Sequence, residues 1–186
     1  MGLDMYLTAK REFYDKELDN NKDAKKIYGD IKKMLPEIYD SGNLNYIEVG
    51  FEAGYWRKAN AIHKWFIDNC QDGKDDCRKS YVSKEQLKEL KELCEQVIKK
   101  SKLIEGAVNN GYEIGEGGKK IPILQAGEII EDNGMALRLL PTERGFFFGS
   151  LDYDKGYYED IQQTIEIIDK CLTLSEEWDF YYHASW

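Results

Sequence analysis

The residues best suited to chemistry crowd into one stretch, GYWRKANAIHKWFIDN, from Gly54 to Asn69. Trp56, Arg57 and Lys58 stand where a helix over 54–69 would begin. Free backbone N–H groups at a helix start favour an anion. Two cations there oppose the helix dipole, at a cost of about 0.3 kcal/mol or more each. A bound phosphate or carboxylate would offset that cost, and Trp56 could stack on a ring beside it. A purely structural alternative pairs the cations with Glu48 or Glu52 and leaves Trp56 to the core.

On a helix at about 100° per residue, Tyr55, Ala59, Ile62, Phe66 and Cys70 share an apolar face. Trp56, Asn60 and His63 form a stripe along its flank, while Arg57, Lys64 and Asp68 point away. The set is better placed to hold an anion than to transform one.

His63 and His183 are the only histidines. Asp179 and His183 share one face of a strand but stand about 13 Å apart, four residues at about 3.3 Å each. They form no triad with each other. No H-E-x-x-H, C-x-x-C or G-x-S-x-G pattern occurs, so neither a catalytic residue nor a metal site is assigned and no cofactor is expected. Asp152-Tyr153-Asp154 could hold Mg²⁺, or could equally cap the helix that follows.

Several elements must position these residues. Leu3, Met5 and Leu7 alternate with polar neighbours, which predicts a strand over 2–8. The charged 10–21 segment reads as a loop or solvated turn. Ile27, Ile31, Met34 and Leu35 predict a helix over 23–35, ended by Pro36. A turn at Ser41-Gly42-Asn43 precedes a strand over 45–51. After a polar linker over 71–79, Ser83 and Gln86 fit a capping box that opens a helix over 83–104. The glycine-rich 106–134 region reads as turns with short strands. In it, Gly117-Gly118 turns a hairpin between Tyr112–Ile114 and Ile121–Ile123. Residues 135–140 and 145–149 could pair around Pro141–Arg144. Tyr158, Ile161, Ile165, Ile168 and Leu172 predict a helix over 155–174. Strong alternation predicts a final strand over 178–186.

Length and composition set the frame. The chain has 186 residues, 42% hydrophobic and 33% charged, which suits one globular domain over 1–186. Thirteen Tyr and four Trp are a heavy aromatic load for a mean hydropathy of −0.64. Such residues serve pockets and cores alike. A net charge of −9 argues against binding nucleic acid. No apolar run approaches the roughly 20 residues that span a bilayer. Met1–Tyr6 lacks the features of a signal peptide, so a soluble intracellular protein is expected. Cys70, Cys77, Cys94 and Cys171 are expected to be reduced, with Cys94 and Cys171 in the core. The order of elements predicts an α+β fold, a mainly antiparallel sheet holding both terminal strands with three to four packed helices.

Four blocks carry a resemblance: MGLDMYL, YWRKANAIHKWF, LPTERGFFFGS-x-DYD and WDFYYHASW. Together they resemble a family of small proteins encoded by bacteriophages and prophages. The resemblance implies phage origin and a place in the cytoplasm of the bacterial host, and it brings no catalytic residues with it. By analogy, such a protein sequesters a nucleotide-like host immune signal without chemistry. Trp56 would stack on a base, and Arg57, Lys58 and Arg144 would hold phosphate. Asn60 and His63 would give polar selectivity, and Tyr153, Tyr182 or Trp186 would close the site. The alternatives are a hydrolase or phosphodiesterase using His63 or His183 with Asp152 and Asp154, and a protein that inhibits a host enzyme. A homo-oligomer is compatible with the leading reading.

Overall fold

The computed structural model describes residues 2–40, 44–145 and 147–186. The turn expected at Ser41–Asn43 and the Phe146 position lie outside the described residues. Strand β1 (Asp4–Tyr14) pairs antiparallel with β2 (Tyr46–Arg57) on one side and with β6 (Asp179–Ser185) on the other. A short strand β3 (Ser80–Val82) pairs with β6, giving the order β2-β1-β6-β3. Both terminal strands therefore lie in one antiparallel sheet, as the alternation at each end predicts.

Alternation sorts each strand into two faces. Met5, Leu7 and Ala9 of β1 and Phe180, Tyr182 and Ala184 of β6 are buried on one face. Three helices cover that face and share its core: α3 (Asn60–Cys70), α4 (Lys84–Lys100) and α6 (Lys155–Leu172). Ile62 and Phe66 of α3, Leu87, Leu90 and Cys94 of α4, and Ile161 and Ile168 of α6 have essentially no exposed surface. Cys171 of α6 is buried with them, and the described cysteines are all free thiols. The opposite face is half-open and aromatic, with Tyr6 stacked on His183 at 4.9 Å.

At the far end of β1, helix α1 (Lys22–Met34) closes a smaller cluster of Phe13, Ala24 and Tyr28, and a short α2 (Pro36–Asp40) follows. Arg11 is buried between the two clusters and pairs with Asp23 and Glu177. A second sheet is a two-stranded ribbon of β4 (Leu103–Ile114) and β5 (Lys120–Ile130). Its register sets Tyr112 opposite Pro122, Glu113 opposite Ile121 and Ile114 opposite Lys120, the hairpin expected around Gly117-Gly118. Both glycines have positive φ (+70° and +78°), a region that costs a residue with a Cβ. The ribbon's base joins the body where the Ile130 N–H donates to the Tyr153 carbonyl at 2.9 Å. No described helix is long and apolar enough to cross a membrane.

Four expectations need correction. The helix predicted over 54–69 begins only at Asn60, because residues 54–57 extend β2 and pair with β1 out to Asp4 opposite Arg57. Strand β1 runs on to Tyr14 rather than yielding to a loop, since Arg11 and Phe13 continue the buried alternation. The short strands expected within 106–134 are the ends of a ribbon with strands of 12 and 11 residues. The hairpin expected over 135–149 is absent among the described residues. Residues Gly134–Leu139 form helix α5, with Ala136 and Leu140 buried four residues apart on one face.

The capping box at α4 is complete. Ser83 Oγ accepts from the Gln86 N–H at 3.1 Å, and Gln86 Oε1 accepts from the Ser83 N–H at 2.9 Å. Ser83→Ala removes one half, so a loss of about 1 kcal/mol is expected. For a domain of this size that is a fall of roughly 2–4 °C in Tm. An unchanged urea midpoint would show that the cap contributes nothing.

Candidate functional site

The end of β2 turns into α3 through two unusual residues. Lys58 has φ +63°, a left-handed conformation that a residue with a Cβ adopts at a cost. It is held there by its N–H, which donates to the Leu3 carbonyl at 2.8 Å. Its side chain runs between two glycines. A Cβ added at Gly149 would sit 3.0 Å from the Lys58 Cβ, and one at Gly2 would sit 3.2 Å from its Cε. Gly149 itself has φ +97°, so glycine is required there on two counts. Helix α3 then starts at Asn60 with no side chain capping it. The first-turn amides of Ala61 and Ile62 have no intrahelical carbonyl to bond.

These features open into one cleft of about 370 Å³. One wall is Arg57, Lys58 and the first turn of α3. The loop through Gly149, Ser150 and Asp152 forms the second, and the N-terminal half of α6 the third. Asn60 holds the loop in place. Its amide donates to the Phe148 and Ser150 carbonyls at 3.1 and 2.7 Å, and its oxygen accepts from the Glu143 N–H at 3.1 Å. With only 3% of its surface exposed, Asn60 shapes the cleft and presents no polar group to spare.

The electrostatics are two-sided. Arg57 and Lys58 have no ion-pair partner among the described residues. Glu48 pairs with Lys10 instead. Across the cleft stand Asp152, Asp154, Glu159 and Asp160. Asp154 caps α6 by accepting from the Tyr157 N–H at 3.1 Å. Burial pushes the Asp160 carboxyl up to about 7, with the Asp154 and Glu159 charges adding to it. Near neutral pH, Asp160 can either donate or accept a hydrogen bond. A cation pair beside free helix amides can hold an oxyanion, and the acidic wall can bond the hydroxyl or amino groups of the same molecule.

The expected site residues separate into three places. Arg57, Lys58 and Asn60 come together at this cleft. His63, Arg144 and Trp186 line another cleft of about 400 Å³ on the far side of α3's start. There the buried His63 ring has Nδ1 2.7 Å from the Tyr182 hydroxyl. Its Nε2 stands 3.2 Å from Asp75 Oδ2, without hydrogen-bond alignment. Burial lowers the His63 pKa, opposed by Asp75, and Phe148 and Trp186 pack edge-on against the ring. Trp56, Tyr182 and Tyr153 form the third group. Trp56 has 0% exposure and donates its indole N–H to Thr164 Oγ1 at 2.9 Å. Its place is in the core, where it cannot stack on a ligand. Tyr182 is fully buried against Phe66, ring centroids 4.0 Å apart. Tyr153 is half-buried, its hydroxyl oxygen accepting from the Thr142 N–H at 3.3 Å.

The carboxylates and histidines proposed for hydrolysis are not assembled either. Asp152 and Asp154 line the first cleft, His63 the other, and His183 lies on the open face of the sheet. Among the described residues, no group of His, Cys, Asp and Glu could hold a metal ion. Asp160, Ser150 and Gly149 were not foreseen. Their signal was weak: an acid in the first turns of a helix reads as a partner of the dipole, and a glycine in a loop reads as a turn.

The molecule is thus a mixed α+β domain with a cation-edged cleft where a strand passes into a buried helix. Compared with known proteins, the chain matches no family model, and no curated protein or solved structure is significantly similar to it.

The Asp160 carboxyl gives a pH test. The folded group holds its proton up to about 7, whereas the unfolded one ionises near 3.9. Between these values the folded state binds more protons, so this group lowers stability as pH rises. Asp160→Asn removes that loss. The gap in urea midpoint between variant and wild type is expected to widen, in the variant's favour, from pH 4 to pH 7.5. A gap independent of pH would mean that Asp160 ionises normally.

Proposed function

We propose that this protein binds an anionic, nucleotide-like small molecule in the cleft between the start of α3 and α6, and holds it without transforming it. The observation that carries this reading is the convergence of Arg57, Lys58 and the uncapped first turn of α3 on one cavity wall. Phosphate suits that wall, because the cations, the helix dipole and the free amides all favour negative charge at one point. The constrained Lys58, threaded between Gly2 and Gly149, is a pre-organised group whose ordering cost is met in folding. Asp152 and Asp160 face it and suit the hydroxyl groups of a sugar.

The resemblance of four sequence blocks to phage and prophage proteins supports a biological role for such binding. In that role the protein acts in the cytoplasm of a bacterial host and sequesters a nucleotide signal of host immunity. A second reading is a phosphodiesterase or hydrolase acting on the same ligand. It is favoured by the place of Asp160 on the cleft wall, where burial raises its carboxyl to about 7, the range in which general acid–base groups work best.

A single incubation separates the two. The protein is mixed with mononucleotides and cyclic nucleotides, denatured, and the released molecule is identified by mass spectrometry. Intact ligand is expected, and a hydrolysed product would establish the second reading. By calorimetry, Arg57→Ala combined with Lys58→Ala is expected to weaken binding at least tenfold. No binding by the wild-type protein to any member of the panel would overturn the proposal.

A further inference from the structure

The first cleft does not end at the loop. A second cleft, of about 670 Å³, adjoins it across Gly149, Ser150 and Asp152, which line both, and the pair is termed the trough. Beyond the shared floor the trough runs under the β4–β5 ribbon. There it is lined by Tyr112, Lys120 and Arg144. Arg57 and Lys58 line its first part and Lys120 and Arg144 its second, Arg144 also lining the His63 cleft. Neither Lys120 nor Arg144 has an ion-pair partner among the described residues.

Tyr112 is the aromatic residue that the first cleft lacks. The residue is 57% exposed, and the Lys120 ammonium stands 5.9 Å from its ring centroid. The ladder between β4 and β5 slips between Asn109 and Tyr112, where Gly111 takes φ +119° and its N–H bonds to Asn109 Oδ1 at 3.0 Å. A bulge re-aims the side chains beside it. Here it lies on the stretch of β4 that lines the trough. An exposed tyrosine with a cation beside it is a stacking platform for a nucleobase. In the lining that the two clefts share, Ser150 and Asp152 offer bonds to hydroxyl groups.

We infer that the trough takes a ligand of the dinucleotide class, with one phosphate at Arg57 and Lys58, a second at Lys120 and Arg144, and a base stacked on Tyr112. This rests on the reading of the first cleft as a nucleotide site. A mononucleotide fills one end only, and a dinucleotide gains the second cation pair and the stack.

Titration calorimetry with AMP, linear diadenylate and cyclic diadenylate tests this on the full chain. At least one diadenylate is expected to bind ten times more tightly than AMP, or better. Tyr112→Ala, and Lys120→Ala with Arg144→Ala, are expected to cut that affinity at least fivefold, and by more than they cut the affinity for AMP. These side chains lie outside the core, and unchanged circular dichroism would show that the variants fold. Diadenylates that bind no more tightly than AMP, or that are indifferent to both ribbon-side variants, would overturn the inference while AMP binding keeps the first-cleft reading. Failure of all three probes to bind would overturn the inference, and the first-cleft reading falls with it only if the whole nucleotide panel also fails to bind.

Discussion

The indole N–H of Trp56 donates to Thr164 in the buried core, and much of the rest hangs on that contact. A buried indole needs a partner for its one donor, and Thr164 is fully buried too, its own hydroxyl donating to the Asp160 carbonyl at 2.7 Å. The bond ties the last turn of β2's ladder to the middle of α6. It fixes where the strand stops and how close α6 comes to it. Arg57 and Lys58 are the next two residues, so they leave the core at a point set by Trp56. The cleft is the space left between that exit and α6.

The same contact explains why the cleft is asymmetric. One wall belongs to a strand end and a helix start, where cations and free amides gather. The other is the first turns of α6, where acids favour the helix dipole. Half-burying that acidic wall brings Asp160 close to neutral, since its ionised form loses water and gains two negative neighbours. Glu143, Phe148 and Ser150 of the loop over 141–154 are each held by a hydrogen bond with a single buried side chain, Asn60. Glycine at 149 lets the loop lie against Lys58.

On the other side of α3, His63 shows a different use of similar residue types. Its ring is enclosed by Tyr182, Phe148 and Trp186, the last residue of the chain. Burial lowers the pKa of the imidazole against the pull of Asp75, and of its two nitrogens only Nδ1 is hydrogen-bonded, to the Tyr182 hydroxyl. This cluster joins the C-terminal end of the sheet to the loop that carries Asp75. It accounts for the aromatic residues at the chain end without a ligand.

Local periodicity was enough for much of this architecture. The alternation at 2–8 and 178–186, the stripes of α4 and α6, the capping box at Ser83 and the glycine turn at 117–118 were all legible, because each is written in neighbouring residues. The grouping of Arg57, Lys58 and Asn60 was legible too, and all three line one cleft. Residues 54–57 were not legible. Gly-Tyr-Trp-Arg fits a helix start as well as a strand end, and only the ladder with β1 decides between them. That choice gave Trp56 to the core. The site's remaining parts come from positions 57–62, 149–152 and 160, with Tyr112 on a ribbon beyond them. No spacing in the chain encodes that meeting, because it is made by packing α6 and the loop against the end of β2. The protonation of Asp160 follows from the same packing, since desolvation is a property of the assembled walls and not of the residue.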